Sequence, residues 1–272
     1  LLPTNPEEKV IFIPHSSLFN VPFPALQDKD GKYLIEKHTI ITAPSIQVLD
    51  STRKLQEKGI NTKDILVVGN PTMPIIGEPP PPLPPLTHAE EEAKVIASRY
   101  NVQPFIGNQA TEAKITQLMP NARIMHFATH GILDDNRGIG SYIALAPSED
   151  ENGRLTPSED KDGRLTAEEI FDMKLNAQLV VLSACDTGRG RITGEGVIGL
   201  SRSLVAAGIE SLIVSLWNVD DEVTGSFMGE FYNQWDKTGN KAQALRQAML
   251  TTMKTHPDPR YWGAFTLIGE DD

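Results

Sequence analysis

VVLSACDTGRG, residues 180–190, carries the chain's single cysteine out of an apolar run and into a polar, glycine-containing turn. A short apolar run bounded by turn residues reads as a strand covered on both faces. A thiol at the end of such a strand is held rigidly and faces outward, which suits a nucleophile. Outward from this point, KVIFIP (9–14), HTIITA (38–43), DILVVG (64–69), RIMHFAT (123–129), YIALAP (142–147), LVVLSA (179–184), ESLIVSLW (210–217) and AFTLIG (264–269) also read as strands. Helical patterns lie between them. SIQVLDSTRKLQEKG (45–59) ends on Gly59, THAEEEAKVIASRY (87–100) opens with a cap-like Thr87 and early acids, and GVIGLSRSLVAAG (196–208) ends at Gly208. Val223, Phe227, Phe231 and Trp235 recur every four residues, as one face of a helix packed on the sheet does. The fold class is α/β, a mostly parallel sheet flanked by helices.

Composition narrows the function. At 272 residues, 39% hydrophobic and 22% charged, the chain buries a substantial core. One cysteine excludes an internal disulfide framework and a cysteine-based zinc site, and suits a reducing compartment. No apolar run reaches the roughly 18–20 residues of a membrane helix, and LLPTNPEEKV lacks the form of a secretory signal, so the expected location is cytoplasmic. A net charge of −11 and a pI near 5.0 argue against nucleic acid as a partner. The first residue is Leu, which reads as a fragment of a longer chain.

Two irregular stretches interrupt the pattern. EPPPPLPPL (78–86) cannot be helix or central strand and reads as a stiff connector between two halves. SEDENGRLTP (148–157) is followed at once by SEDKDGRLTA (158–167), a ten-residue tandem duplication. Each copy resembles an EF-hand calcium loop in its Asp, Gly and later Glu, but Ser148 or Ser158 stands where the first ligand should be. A solvated acidic excursion outside the core is the expectation, with no metal and no cofactor.

In an open parallel sheet, reactive groups collect beyond the C-terminal ends of the strands. RIMHFATHG delivers His130 and Gly131 there, and LVVLSACDTG delivers Cys185 and Asp186 to the same edge if the two strands run parallel and adjacent. An imidazole within reach turns a weak thiol nucleophile into a thiolate. The pattern is that of a cysteine peptidase, with the backbone N–H groups of Gly131 and Cys185 available as an oxyanion hole. His126 shares strand parity with His130 but lies mid-strand, as a buried core histidine does. GEGVIG (194–199) matches a dinucleotide-binding fingerprint, yet too many residues separate it from the preceding strand for the tight turn that motif needs.

HFATHG, LVVLSACDTG, GVIGLSRSLVAAGIESLIVSLWNVDD and YWGAFTLIG together resemble the CHAT domain, a caspase-like module often joined to tetratricopeptide repeats. IPHSSLFNVPFPAL, APSIQVL and LPPLTHAEEEAKVIA agree with that resemblance over nearly the whole chain. It implies a caspase-hemoglobinase fold, with residues 1–86 as a degenerate N-terminal half and 87–272 as the half bearing a His130–Cys185 dyad. It also implies a protein or peptide substrate and an attached repeat region. The doubled acidic segment departs from the family's usual single copy. The family is similar to separase, and SLWNVDDE carries over a stretch that places Trp217 and Asp221, with Asp220 and Asp186 nearby, around a basic substrate side chain. Asp220 or Asp221 equally suits the N-cap of the following helix. The expected activity is a cysteine endopeptidase cleaving after Arg or Lys; the alternative is a catalytically idle interaction module of the same fold.

Overall fold

The computed structural model describes residues 2–5, 8–43, 45, 46, 49, 64–74, 83–132, 140–148, 161–184, 194–217 and 219–271. Its strands are β1 (Lys9–Phe12), β2 (Thr39–Thr42), β3 (Ile65–Pro71), β4 (Phe105–Gly107), β5 (Ile124–Ile132), β6 (Tyr142–Ala144), β7 (Arg164–Thr166), β8 (Leu179–Ala184), β9 (Ser211–Ser215) and β10 (Phe265–Gly269). Its α-helices are α1 (Leu34–Lys37), α2 (Thr87–Arg99), α3 (Glu112–Leu118), α4 (Ala167–Phe171), α5 (Gly194–Ala206), α6 (Asp221–Thr238) and α7 (Lys241–Thr255).

The strands form one sheet in the order β1-β2-β10-β9-β8-β5-β3-β4. Strands β9, β8, β5, β3 and β4 run parallel to one another, while β10 turns antiparallel to β9 and continues in parallel to β2 and β1. A parallel sheet buried on both faces needs apolar residues at successive positions, and β5 and β8 supply them. Even and odd positions feed two separate cores. Ile124, Leu179, Val181 and Ile213 face α2, α6 and α7, where Phe227, Phe231 and Trp235 of α6 pack. Met125, Phe127, Val180 and Leu182 face the opposite layer with Ile115, Ile170 and Leu204. The layers are helix, sheet, helix. Among the described residues, no helix is long and apolar enough to cross a membrane.

The eight expected strands are present with shifted ends, and β4 and β7 are additions, each only three residues long. Most of SIQVLDSTRKLQEKG lies outside the described residues. Thr87 is the first residue of α2 rather than its cap; Leu86 occupies the cap position and makes no side-chain cap bond.

The second copy of the acidic duplication corrects the expectation of a solvated excursion. Arg164–Thr166 pair antiparallel with β6, and Leu165 is fully buried in the core facing α3 to α5. Glu169, the would-be last calcium ligand, instead closes a capping box with Thr166 at the start of α4. Lys161 reaches the buried Glu112 carboxylate at 3.0 Å and Glu169 at 3.2 Å, and the Gly163 N–H donates to Glu112 at 2.9 Å. Desolvation pushes the Glu112 carboxyl above its ordinary value. Gly163 has φ +93°, and any Cβ there would sit 2.6 Å from the Leu145 carbonyl, so only glycine fits this turn. Residues 149–160, most of the first copy included, lie outside the described residues.

Candidate active site

Strand β5 continues past its pairing with β3 and β8, and there Gly131 and Ile132 pair with Ile143 and Tyr142 of β6. His130 therefore lies inside the strand, not past its end, and is buried. On its other side β5 runs parallel to β8, with Phe127 opposite Leu182 and His130 opposite Ala184. Three steps along β5 thus match two along β8, which marks a bulge with one additional residue in β5. The bulge breaks the alternation that made His126 and His130 read as neighbours on one face. Thr129, within it, donates its hydroxyl to the Ala144 carbonyl at 2.8 Å.

The two histidines consequently have different partners. His126 Nε2 lies 2.9 Å from Glu92 Oε1 and Nδ1 lies 3.2 Å from the Tyr232 hydroxyl, in a wholly buried set. Burial, followed by the charges of Tyr100 and Glu92, holds the Tyr232 phenol well above its ordinary value, so it stays protonated. This is the core histidine expected from sequence. His130 Nε2 donates instead to the Pro84 carbonyl at 2.7 Å. A carbonyl can only accept, so Nε2 carries a proton in this contact.

Pro84 and its support escaped the sequence reading, which treated the proline tract as a linker. Leu83 is buried against Tyr142 and Ala144, with Ile132 alongside. Asn70 has φ +42°, and its side-chain oxygen accepts the Leu86 N–H at 2.8 Å, fixing the chain two residues beyond Pro84. Proline offers no N–H, which leaves its carbonyl as the only polar backbone group it can present, but nothing in the sequence says to what.

The C-terminal ends of β5, β8 and β9 share one sheet edge. Beyond β9, Trp217 is partly buried and donates its indole N–H to the Arg260 carbonyl at 3.0 Å. Asp220 is the N-cap of α6, its Oδ1 accepting from the N–H groups of Glu222 at 3.1 Å and Val223 at 3.3 Å. Asp221 opens α6, but its side chain, like the whole of Cys185 and Asp186, lies outside the described residues. What the described residues bring together is His130, Pro84 and the end of β8.

The family model of the CHAT domain matches residues 2–270. The chain belongs to the CHAT domain family. Tetratricopeptide repeat protein 28 of Mus musculus and of Homo sapiens are each 28% identical, over 302 and 306 residues, across 99% of this chain. This CHAT domain spans only 12% of the length of those relatives. Among solved structures it resembles a chain of the Saccharomyces cerevisiae separase-securin complex, with a TM-score of 0.55 at 14% identity over 92% of this chain and 14% of that one. It also resembles the Arg-specific cysteine proteinase gingipain R, with a TM-score of 0.52 at 10% identity over 86% of this chain and 54% of that one. At such identities the likeness is one of fold: this CHAT domain shares the caspase-like α/β architecture of those peptidases.

Proposed function

We propose that this CHAT domain is a cysteine endopeptidase in which Cys185 is the nucleophile and His130 its base. The observation that carries the reading is the β5–β8 register: His130 stands opposite Ala184, and Cys185 is the next residue in the chain. With the Pro84 carbonyl accepting from Nε2–H, Nδ1 takes the thiol proton. The thiolate adds to the substrate carbonyl, and the oxyanion is stabilised by the N–H groups of Gly131 and Cys185. The imidazolium returns its proton to the leaving amine, and water then releases the acyl group from sulfur. Residues 1–86 serve as the supporting half and 87–272 as the catalytic one.

The preferred substrate carries Arg, then Lys, before the scissile bond. Asp221 is the first candidate for the pocket carboxylate, with Asp186 and Asp220 beside it and Trp217 as a wall; Asp220 already spends one oxygen on the α6 cap. The Arg specificity stated for gingipain R supports this assignment by likeness of fold. The reading also places the domain in a reducing, cytoplasmic setting and joins it to tetratricopeptide repeats. A second reading, a CHAT module that transmits signals without cleaving, draws on the relatives being named as tetratricopeptide repeat proteins.

Thiol-reactive arginyl peptide analogues and a peptide library decide between the two. Expected are labelling of Cys185, cleavage after Arg, and loss of turnover in Cys185→Ala and in His130→Ala with the fold retained. Asp221→Ala should lose most of the basic preference, whereas His126→Gln should lower thermal stability and leave labelling in place. Turnover by Cys185→Ala or His130→Ala would refute the dyad; no labelling and no cleavage of any library member would favour the idle module.

A further inference from the structure

The N-terminal half of α6 is bordered by a cavity on each side. One, of about 330 Å³, lies between α2 and α6 and is lined by Glu91, Glu92, Val95, Glu222, Gly225 and Gly229 among others. The other, of about 530 Å³, lies between α6 and α7 and shares Glu222 and Ser226 with the first. Among the described residues that line them there are carboxylates, hydroxyls and histidines but no Lys or Arg.

Glu92 distinguishes the first cavity from an ordinary acidic surface. Its side chain is 1% exposed, and Oε1 is committed to His126. Oε2 is buried and has no hydrogen-bond partner. A buried carboxylate oxygen without a donor is costly, and a cation with several N–H groups relieves that cost best. The two glycines leave room beside the Glu92 side chain. At Gly225 a Cβ would already touch Glu92 Cβ at 3.7 Å, and at Gly229 nothing lies within 4 Å of where a Cβ would be. The space beside α6 is therefore a notch left by a missing side chain, with the exposed Val95 available to an aliphatic stem and Glu91 and Glu222 at the rim.

We propose that the notch between α2 and α6 is a docking site for a basic polypeptide segment, anchored by an arginine whose guanidinium reaches Glu92 Oε2 between Glu91 and Glu222. Arginine is favoured over lysine because its planar fork can serve Oε2 and a rim carboxylate together. Glu222 follows Asp221 in the chain, so Gly229→Leu is the variant that tells binding at the notch from binding at the proposed substrate pocket, and the proposal stands whether or not the domain cleaves peptides.

The test uses the full 272-residue chain carrying Cys185→Ala, so that a bound peptide is not consumed. A fluorescein-labelled peptide of alternating Ala and Arg is titrated by anisotropy at low ionic strength, beside the same peptide with citrulline, the neutral isostere, in place of Arg. Expected is saturable binding that weakens at least tenfold with citrulline, with Glu92→Gln and with Gly229→Leu. Glu168→Gln, an exposed acid on α4 across the sheet, should change affinity less than twofold. Gly229 lies within α6 without a positive φ, so leucine there favours the helix and the variant should fold even if Glu92→Gln does not. Three results would overturn the proposal: no binding of the arginine peptide, full affinity in Gly229→Leu, or an equal loss in Glu168→Gln, which would reduce the attraction to net charge.

Discussion

Deleting either copy of the tandem segment leaves one copy of equal length, yet the two products differ at three positions. Without Ser148–Pro157 the chain keeps Lys161, Asp162 and Ala167; without Ser158–Ala167 it has Glu151, Asn152 and Pro157 in their places. The site that receives them discriminates. Lys161 faces Glu112, whose side chain is 1% exposed while that of Lys161 is 31% exposed. Breaking a buried pair costs about 3–5 kcal/mol; for one partner partly in water, and with a like charge arriving instead, about 2–3 kcal/mol is reasonable. Ala167 donates its N–H to the Ser141 carbonyl at 2.7 Å, a bond that proline cannot make, for about 1 kcal/mol more. At roughly 2–4 °C per kcal/mol for a domain of this size, loss of the second copy should lower the melting temperature by about 6–16 °C. Loss of the first copy should cost no more than about 4 °C. Ser148 donates its N–H to the Lys161 carbonyl at 3.3 Å, and Ser158 would take that role across a two-residue hairpin loop. Thermal unfolding of both proteins by circular dichroism, with Glu151→Lys as rescue in the less stable one, reads the difference. Equal melting temperatures, the reverse order, or no rescue would refute the pairing argument.

Two further perturbations address the parts that hold the site. Gly69→Ala would drive a Cβ into Ala93 and to 2.8 Å from the Ala89 carbonyl of α2, so α2 must shift; a loss of about 1–3 kcal/mol is expected, and a melting temperature unchanged in a calorimetric scan would contradict it. Asp271 accepts from Lys9 at 2.8 Å and from Asn240 at 2.9 Å. Burial pushes its carboxyl up, but these bonds outweigh burial and leave it below the ordinary value of 3.8. A depressed value contributes stability that is present above 3.8 and lost as pH falls through the folded value, so Asp271→Asn should be less stable than the parent near neutrality and approach it in acid. A stability gap that stays constant across that range in denaturant titrations would argue against it.

The sheet was legible because buried parallel strands must be apolar at successive positions, and β3, β5, β8 and β9 are. Strands β4 and β7 were not, since three residues such as RLT carry no period and take their conformation from the partner they meet. The acidic composition of the duplication concealed that Leu165 and Ala167 are core residues, because composition averages over positions that the fold treats separately. In the site, His130 and the Cys185 turn stood out by residue type and by their place after apolar runs. The bulge in β5 left no such mark: it is an offset between two strands, and an offset belongs to neither strand's sequence. Pro84 was hidden for a related reason, because a backbone carbonyl acts by where it is put and any residue could have supplied it.

Helix α2 ties these features together. Its entry is fixed by Asn70 through Leu86, and the same stretch presents the Pro84 carbonyl to His130. One turn into the helix, Glu92 holds His126 of the same strand and faces the notch beside α6. The close approach of Gly69 to Ala93 keeps the helix against β3, the neighbour of β5. His126 and His130 are therefore both positioned from α2, one through a side chain and the other through the backbone that leads into it. If a ligand at the notch and a ligand at His130 each prefer one placement of α2, linkage requires that each alter the other's affinity by the same factor.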